Sequence, residues 1–247
     1  MFRRLSVATI LILFVSSLHV WAGPLTVPDL DEYTLEKAAR MNRVADTVLA
    51  PVYAPLAEQI VTRYDLEKKE GIGIDIGGGP GNLAIELAKQ TDKMYWVNAD
   101  INPYFFSFVL EKADKANVSH RVSAIFADAR AMPFKDNYAD IIVSRGSFPF
   151  WKDKKLGFSE VYRVLKPGGV AFIGRGFPAS LPVDVARSVR SKQGKGGPKY
   201  DLQEAVEELN RIMKELSIPR FQIQTPAPPG SEDVNYGVWV EFYKPAD

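Results

Sequence analysis

Gly73-Ile74-Asp75-Ile76-Gly77-Gly78-Gly79-Pro80-Gly81-Asn82-Leu83 reads as an apolar strand that ends in an acid, turns through glycine and enters a helix. Glycines at 77, 79 and 81 let the backbone approach a ligand and adopt dihedrals closed to other residues. In a doubly wound α/β sheet this turn lies at the carboxyl ends of the strands, beside the switch point where ligands bind. A dinucleotide turn, G-x-G-x-x-G, needs glycine where Asn82 stands. The spacing here is G-x-G-x-G. Asp75 adds like charge beside any pyrophosphate and suits a cationic group, an amine or a sulfonium. A turn whose glycines serve structure alone is the competing interpretation.

Two more acids argue against that interpretation. Asp100 closes the next apolar run, where a carboxylate can bind both hydroxyls of a ribose. Asp128 closes the one after, followed by Ala129-Arg130-Ala131-Met132-Pro133-Phe134. Each alone is an ordinary cap or turn residue. Three acids at the ends of three successive strands form a pattern that chance rarely produces.

Strand and helix patterns alternate outward from this turn. Strands are predicted at Ile72 to Ile76, Met94 to Ala99, Arg121 to Ala127, Ala139 to Ser144 and Val170 to Gly174. Helices are predicted at Pro80 to Lys89, Pro103 to Ala116 and Asp153 to Leu165, the last stopped by Pro167-Gly168-Gly169. Asp201 to Leu216 carries the clearest helical face, with Asp201 and Glu204 resembling a capping box. Phe221 to Gln224 and Val238 to Tyr243 are two final strands, suited to an antiparallel hairpin at one edge. The expected fold is α/β: a Rossmann-like, doubly wound, mostly parallel seven-stranded sheet with an antiparallel edge strand. Thr34 to Tyr64 is helical, and Pro51 and Pro55 divide it into two or more short helices that form a lid. Ser191 to Lys199 reads as a solvated basic loop.

The N-terminus is a separate object. Arg3-Arg4 precedes an apolar run from Leu5 to Val20 and then Trp21-Ala22-Gly23. That is the layout of a secretory signal, with an uncleaved membrane anchor as the close rival and a twin-arginine export signal as a third reading. Each places the globular part outside the cytoplasm, membrane-anchored or exported; a cytoplasmic location follows if the segment is unused. The expected division is a signal or anchor over 1–23, linker and lid helices over 24–66, and the catalytic domain over 67–247.

Composition excludes several chemistries. With no cysteine and two histidines among 247 residues, no thiolate site, cysteine nucleophile or histidine-based metal cluster is expected. His120 starts a strand, at the wrong end of the sheet for a role. A formal charge of +1, with no basic stripe, argues against nucleic acid.

These segments resemble motifs of class I S-adenosylmethionine (SAM)-dependent methyltransferases, in particular the ubiquinone/menaquinone biosynthesis group. The resemblance runs from about Asn42 to Lys244 and includes Asp75 to Gly81, Asp100, Asp128 with Met132-Pro133-Phe134, and Tyr162 to Gly169. It implies that Asp75, Gly77, Gly78, Gly79 and Gly81 hold the methionine part of SAM, Asp100 the ribose, and Asp128 with Ala129 the adenine, with Ile101 on the adenine face. It assigns Arg163 to Gly169 a structural part. Ser144, which ends the fourth strand, is counted with the cofactor shell.

The loop that follows, Arg145-Gly146-Ser147-Phe148-Pro149-Phe150-Trp151, faces the transferred methyl in similar enzymes. The quinone group often carries histidine there; this chain has none, which weighs against a quinone acceptor. Arg145 is a candidate partner for an anionic substrate group, the alternative being a structural ion pair. Phe148, Phe150 and Trp151 are candidate pocket walls, and Tyr53 a candidate lid residue, with core packing as the alternative for each. Methyl transfer needs in-line approach more than acid–base help, so scarce histidine is compatible with it. The expected function is transfer of a methyl group from SAM to a small-molecule acceptor. A non-catalytic SAM-binding sensor or scaffold is the rival, distinguished by turnover. Asn82 and Asp75 argue against a nicotinamide oxidoreductase.

Overall fold

The computed structural model describes residues 33–192 and 201–246. The apolar segment over 1–23, the linker over 24–32 and most of the basic loop lie outside the described residues.

Two helices come first, α1 (Leu35–Thr47) and α2 (Ala50–Arg63). Thr34 caps α1, its hydroxyl accepting the Lys37 N–H, which satisfies one of the free donors at a helix start. Pro51 sits in the first turn of α2, where its missing N–H costs nothing. Pro55 does not break that helix. One turn after Pro51 it forgoes a single backbone bond, and Leu56, Ala57 and Ile60 around it are buried.

The sheet then builds in βα steps: β1 (Glu70–Ile76), α3 (Asn82–Lys89), β2 (Lys93–Asp100), α4 (Phe106–Lys115), β3 (Val122–Phe126), β4 (Ala139–Arg145), α5 (Lys154–Val164), β5 (Leu165–Gly176), α6 (Val183–Lys192), α7 (Leu202–Glu215), β6 (Arg220–Gln224) and β7 (Gly237–Tyr243). Spatial order is β3-β2-β1-β4-β5-β7-β6 in one seven-stranded sheet. All pairs are parallel except those β7 makes with β5 and β6. The expected hairpin therefore exists, with β7 inside and β6 outermost. The order reverses between β1 and β4, so the ends of these two strands flank the switch crevice.

Apolar side chains cover both sheet faces. On one, Trp96, Ile141, Val143 and Phe172 pack against α2, α3, α4 and α6. On the other, Ile74, Ile142, Ile173 and Val240 pack against α5 and α7. The α2 helix is thus part of the core rather than a detachable cover. Asp201 caps α7 through the Glu204 N–H at 2.9 Å, as the capping pattern predicts.

Two segments differ from expectation. The α6 helix was not predicted; its sequence is charged, rich in β-branched residues, and buries only Ala186 and Val189 fully. It takes in Ser191 and Lys192, which were expected to open the loop. Strand β5 begins at Leu165, not Val170, and takes in Pro167-Gly168-Gly169. Backbone bonds from Gly168 to Lys244 (2.9 Å) and from Lys244 to Gly169 (3.0 Å) extend the pairing there, while the register with β4 shifts between Ala139 and Ile141.

Among the described residues no helix is long and apolar enough to cross a membrane.

Candidate active site

The carboxyl ends of β1 to β4 open into one cavity of ≈ 820 Å³, within the size range of a small-ligand site. Its wall includes Gly77, Gly79, Asp100, Ile101, Asp128 and Ala129 on one side and Arg145, Phe150 and Trp151 on the other. The strand-end acids and the aromatic loop therefore share one space.

Gly79 has a left-handed backbone, φ +55°, and the nearest atom to a Cβ placed there would be a Phe105 ring carbon at 4.0 Å. Any side chain would project into the cavity, so glycine keeps the turn's wall open. The Gly79 N–H donates to Asp100 Oδ2 at 2.8 Å, and Asn102 N–H donates to Oδ1, also at 2.8 Å. Asp100 thus ties the glycine turn to the end of β2 and still faces the cavity. A carboxylate so placed has lone pairs for two ribose hydroxyls, and the open glycine wall gives the rest of a SAM molecule room. The residues present fit that cofactor.

Asp128 also lines the cavity, but it is engaged. Arg130 forks onto it, with Nη2 at 2.6 Å from Oδ2 and Nε at 3.1 Å from both oxygens, and the Arg130 N–H adds a bond of 2.9 Å. Burial alone would raise the Asp128 carboxyl, but the arginine holds it below its ordinary value. It is an ionised acceptor of fixed orientation. The acid alone was legible in sequence; its arginine partner was not.

Asp75 lies beneath the turn rather than in the wall. It is 1% exposed, and neither carboxylate oxygen meets a hydrogen-bond donor in good geometry. Gly78, Gly81 and Ser144 are likewise outside the wall. Their contribution is to the turn and to the loop behind it. Ser144 Oγ lies 2.6 Å from Ser147 Oγ; Ser147 donates to the Ile76 carbonyl at 3.0 Å and accepts the Trp151 indole N–H at 3.1 Å. This chain of bonds fastens the loop after β4 onto the end of β1.

The aromatic residues separate by position. Phe150 is 65% exposed and stands at the cavity mouth. Trp151 forms wall on one side and packs on Phe158 (5.2 Å between ring centres) on the other. Phe148, 1% exposed, is core beside Phe158, so its assignment to the pocket is corrected. Phe148 to Phe150 is a 3₁₀ turn, which sends neighbouring aromatics in different directions. Tyr53 is buried in the core, and its ring lies 5.7 Å from the Arg145 guanidinium carbon. It supports Arg145 and does not cover the site. Arg145 Nε also donates to the Gly176 carbonyl at 3.3 Å. The cover comes instead from Tyr33, Lys37 and Met41, at the start and on one side of α1. Asn102, Phe105, Ser147 and Lys152 also line the wall and were not singled out in the sequence. Among the described residues no group of metal-ligating side chains occurs.

Burial sets the titration of the two central acids. Desolvation, with the Asp100 charge adding to it, pushes Asp75 up to about 7. Desolvation pushes Asp100 up to about 6, although the N–H groups of Asn102, Gly79 and Ile101 oppose it. In the unfolded chain both ionise near 3.8. Folded pKa values above unfolded ones mean a stabilising contribution that is whole below 3.8 and is lost as pH rises through about 6 and 7. Glu241 works in the opposite sense. Burial would raise it, but Arg63 and Tyr243 hold it below its ordinary 4.5, so its effect is confined to lower pH. The thermal midpoint of the ligand-free protein should therefore fall as pH rises from about 5 to about 7.5. Asp75→Asn should flatten that fall. A midpoint that is level or rises across this range in scanning calorimetry would refute the assignment.

Comparison with known proteins matches this geometry. The family described as "Methyltransferase domain" covers residues 74–173, which span β1 to β5 and hence the cavity floor. A Methanococcus maripaludis protein of known structure, described as an S-adenosyl-L-methionine-dependent methyltransferase, superposes with a TM-score of 0.74 at 31% identity, over 86% of this chain and 94% of that one. The chloroplastic 2-methyl-6-phytyl-1,4-hydroquinone methyltransferase of Spinacia oleracea is 36% identical over 115 residues, 46% of this chain and 32% of that protein. The ubiquinone/menaquinone biosynthesis C-methyltransferase of Serratia proteamaculans is 34% identical over 97 residues, 39% of each. The chain thus spans about a third of the spinach enzyme's length. The match to the archaeal structure over 94% of its length, together with the three acid-ended strands around one cavity, places this chain in the class I S-adenosylmethionine-dependent methyltransferase family, with S-adenosylmethionine as its cofactor.

Proposed function

We propose that this protein transfers a methyl group from SAM to a small acceptor with an apolar body and one anionic group. The observation that carries this reading is the single cavity in which the acid-ended strands meet Arg145, Phe150 and Trp151. The spinach and Serratia relatives are named for hydroquinone and quinone-pathway methylation, which supports an apolar acceptor body.

When bound, SAM supplies a methyl on a positively charged sulfur, open to displacement by a nucleophile in line with it. The protein's own residues would then do the positioning. Asp100 holds hydroxyls through a carboxylate already fixed by two backbone N–H groups. The Ser144–Ser147–Trp151 bonds keep the acceptor loop at a set distance from the glycine turn. Phe150 and Trp151 exclude water and present aromatic faces to a cation. Among the described residues no histidine lines the cavity, and orientation is the means of acceleration this reading relies on.

Two substitutions test the acceptor side. Arg145→Ala and Phe150→Ala should each lower kcat/KM for the acceptor by roughly tenfold or more, while S-adenosylhomocysteine affinity stays within about threefold. Methyl transfer from labelled SAM, followed across a panel of lipophilic acids, phenols and quinols, supplies the readout. Equal losses in cofactor affinity, or undiminished transfer, would move the acceptor elsewhere.

We further infer that residues 1–23 take the protein to a membrane or through it. Arg3-Arg4 ahead of the apolar Leu5 to Val20 run supports this. Expressed with its own N-terminus, the protein should fractionate with membranes or outside the cytoplasm. Protection patterns that keep the domain cytoplasmic would defeat the inference.

A further inference from the structure

Asn98 carried no role in the sequence and does not touch the cavity wall, yet it sits at the centre of the glycine turn's support. It is wholly buried on β2, directly opposite Asp75 on β1. In parallel strands such partners are side by side on the same face. Its Nδ2 donates to the Gly79 carbonyl at 3.1 Å. That bond fixes the amide's direction, because the reverse orientation would set Oδ1 against a carbonyl oxygen. Oδ1 therefore points the other way, towards Asp75.

The two side chains converge on one spot. A Cβ placed on Gly78 would come 2.1 Å from Asn98 Oδ1 and 2.8 Å from Asp75 Oδ2. Asn98 Oδ1 and both Asp75 oxygens are buried and accept no hydrogen bond of good geometry. Three buried acceptors without a well-aligned donor are costly, and a buried poorly paired carboxylate is costlier still. One proton resolves the conflict. A protonated Asp75 is neutral and becomes a donor, and the acceptor beside it is Asn98 Oδ1.

We propose that Asp75 carries a proton in the ligand-free protein and donates it to Asn98, and that cofactor binding releases this proton to solvent. Asn98 is thus a positioning residue. One end of its amide holds the Gly79 carbonyl and the other recognises the acid form of Asp75. The inference rests on the reading of the cavity as a SAM site only for the release step; the proton on Asp75 belongs to the ligand-free protein. The balance is simple: the Asp75 O–H bond breaks, the carboxylate keeps the electron pair, and the proton goes to buffer. The charged groups around Asp75 suit this switch. Asp100 on β2 opposes its ionisation. Tyr53 on α2 is close enough to feel its charge, and the Arg145 cation from β4 lies 5.7 Å from the centre of that ring. The positive charges of a bound SAM would favour the ionised form. From α3, only the Ala84 backbone N–H favours the carboxylate.

Infrared difference spectroscopy of the full chain, without ligand, tests the proton directly. At pH 6 the protein should show the carbonyl band of a buried protonated carboxylic acid. One component of the band should vanish in Asp75→Asn, which is isosteric with the acid form and should fold; the half-protonated Asp100 supplies the remainder. That component should persist in Asp100→Asn. In Asn98→Leu it should shift in frequency, because the O–H loses its acceptor. Addition of SAM, which brings the sulfonium charge, should abolish that component of the wild-type band. Calorimetry in two buffers of different ionisation enthalpy should then show release of about one proton per site, absent in Asp75→Asn. A ligand-free protein with no such band, or a band indifferent to Asp75→Asn, overturns the proposal. A band unmoved in Asn98→Leu removes Asn98 and leaves a buried water as the partner, which also overturns it. Absence of SAM binding with the band intact would instead count against the SAM site.

Discussion

Asp100→Ala should weaken SAM and S-adenosylhomocysteine binding by about ten- to a hundredfold. A hydrogen bond to a charged group is worth roughly 1.5–3 kcal/mol, and each 1.4 kcal/mol is about a factor of ten. The effect has two sources. The carboxylate would lose its ligand hydroxyls, and the turn would lose the anchor that holds the Gly79 and Asn102 N–H groups. Asp100→Asn separates them. An amide oxygen can still accept one of the two N–H bonds, so the turn keeps part of its order while the charge is gone. Its affinity should fall between wild type and Asp100→Ala. Titration calorimetry gives the affinities, and circular dichroism checks that the fold survives. Wild-type affinity in a folded Asp100→Ala protein would remove this residue from the site, and tight NADH binding in place of SAM would remove the cofactor assignment.

How far sequence reaches into this site depends on what each feature requires. The glycine turn, Asp100 and Asp128 are legible because position along the chain decides them: the end of a parallel strand points to the crevice whatever packs around it. Depth is not legible. Asp75 and Asp100 end neighbouring strands and look alike, but Asp75 lies one residue before its strand's end and is roofed by Gly78, whereas Asp100 is the last residue of its strand and reaches the wall. Phe148 and Phe150 are two residues apart in an aromatic loop, and only the 3₁₀ turn separates core from mouth. Asn98 gave no signal because its meaning lies in a partner on another strand and in backbone atoms of the turn. The α6 helix eluded prediction because few of its residues pay for their place by burial; its position follows from packing against Phe177 and from Arg187 and Arg190 bonding to the loop at Gly230, Asp233 and Asn235.

Gly237→Ala should be strongly destabilising. Gly237 at the start of β7 faces Gly176 at the end of β5, in an antiparallel register. Both have positive φ, +88° and +144°. A Cβ on Gly237 would lie 1.8 Å from the Arg175 carbonyl oxygen, and one on Gly176 would lie 1.9 Å from that of Tyr236. The obstacles are backbone atoms, so no side chain can turn aside; the strands themselves must part. Backbone strain of about 1–3 kcal/mol and overpacking of similar size give a loss of roughly 2–6 kcal/mol. For a chain of this size each kcal/mol lowers the melting temperature by about 2–4 °C, so a drop on the order of 10 °C is expected in thermal unfolding. A drop of less than about 2 °C would show that the strands part freely. The same contact governs chemistry. Gly176 gives its carbonyl to Arg145 Nε, and the next residue, Phe177, bonds back to Tyr236 at 2.9 Å. Strands pushed apart at this point would carry that carbonyl away from Arg145 while leaving the β1 and β2 ends alone. At a temperature where Gly237→Ala is still folded, acceptor turnover should therefore fall further than S-adenosylhomocysteine affinity does, the asymmetry expected if the β5–β7 junction positions the acceptor side and the acid-ended strands position the cofactor.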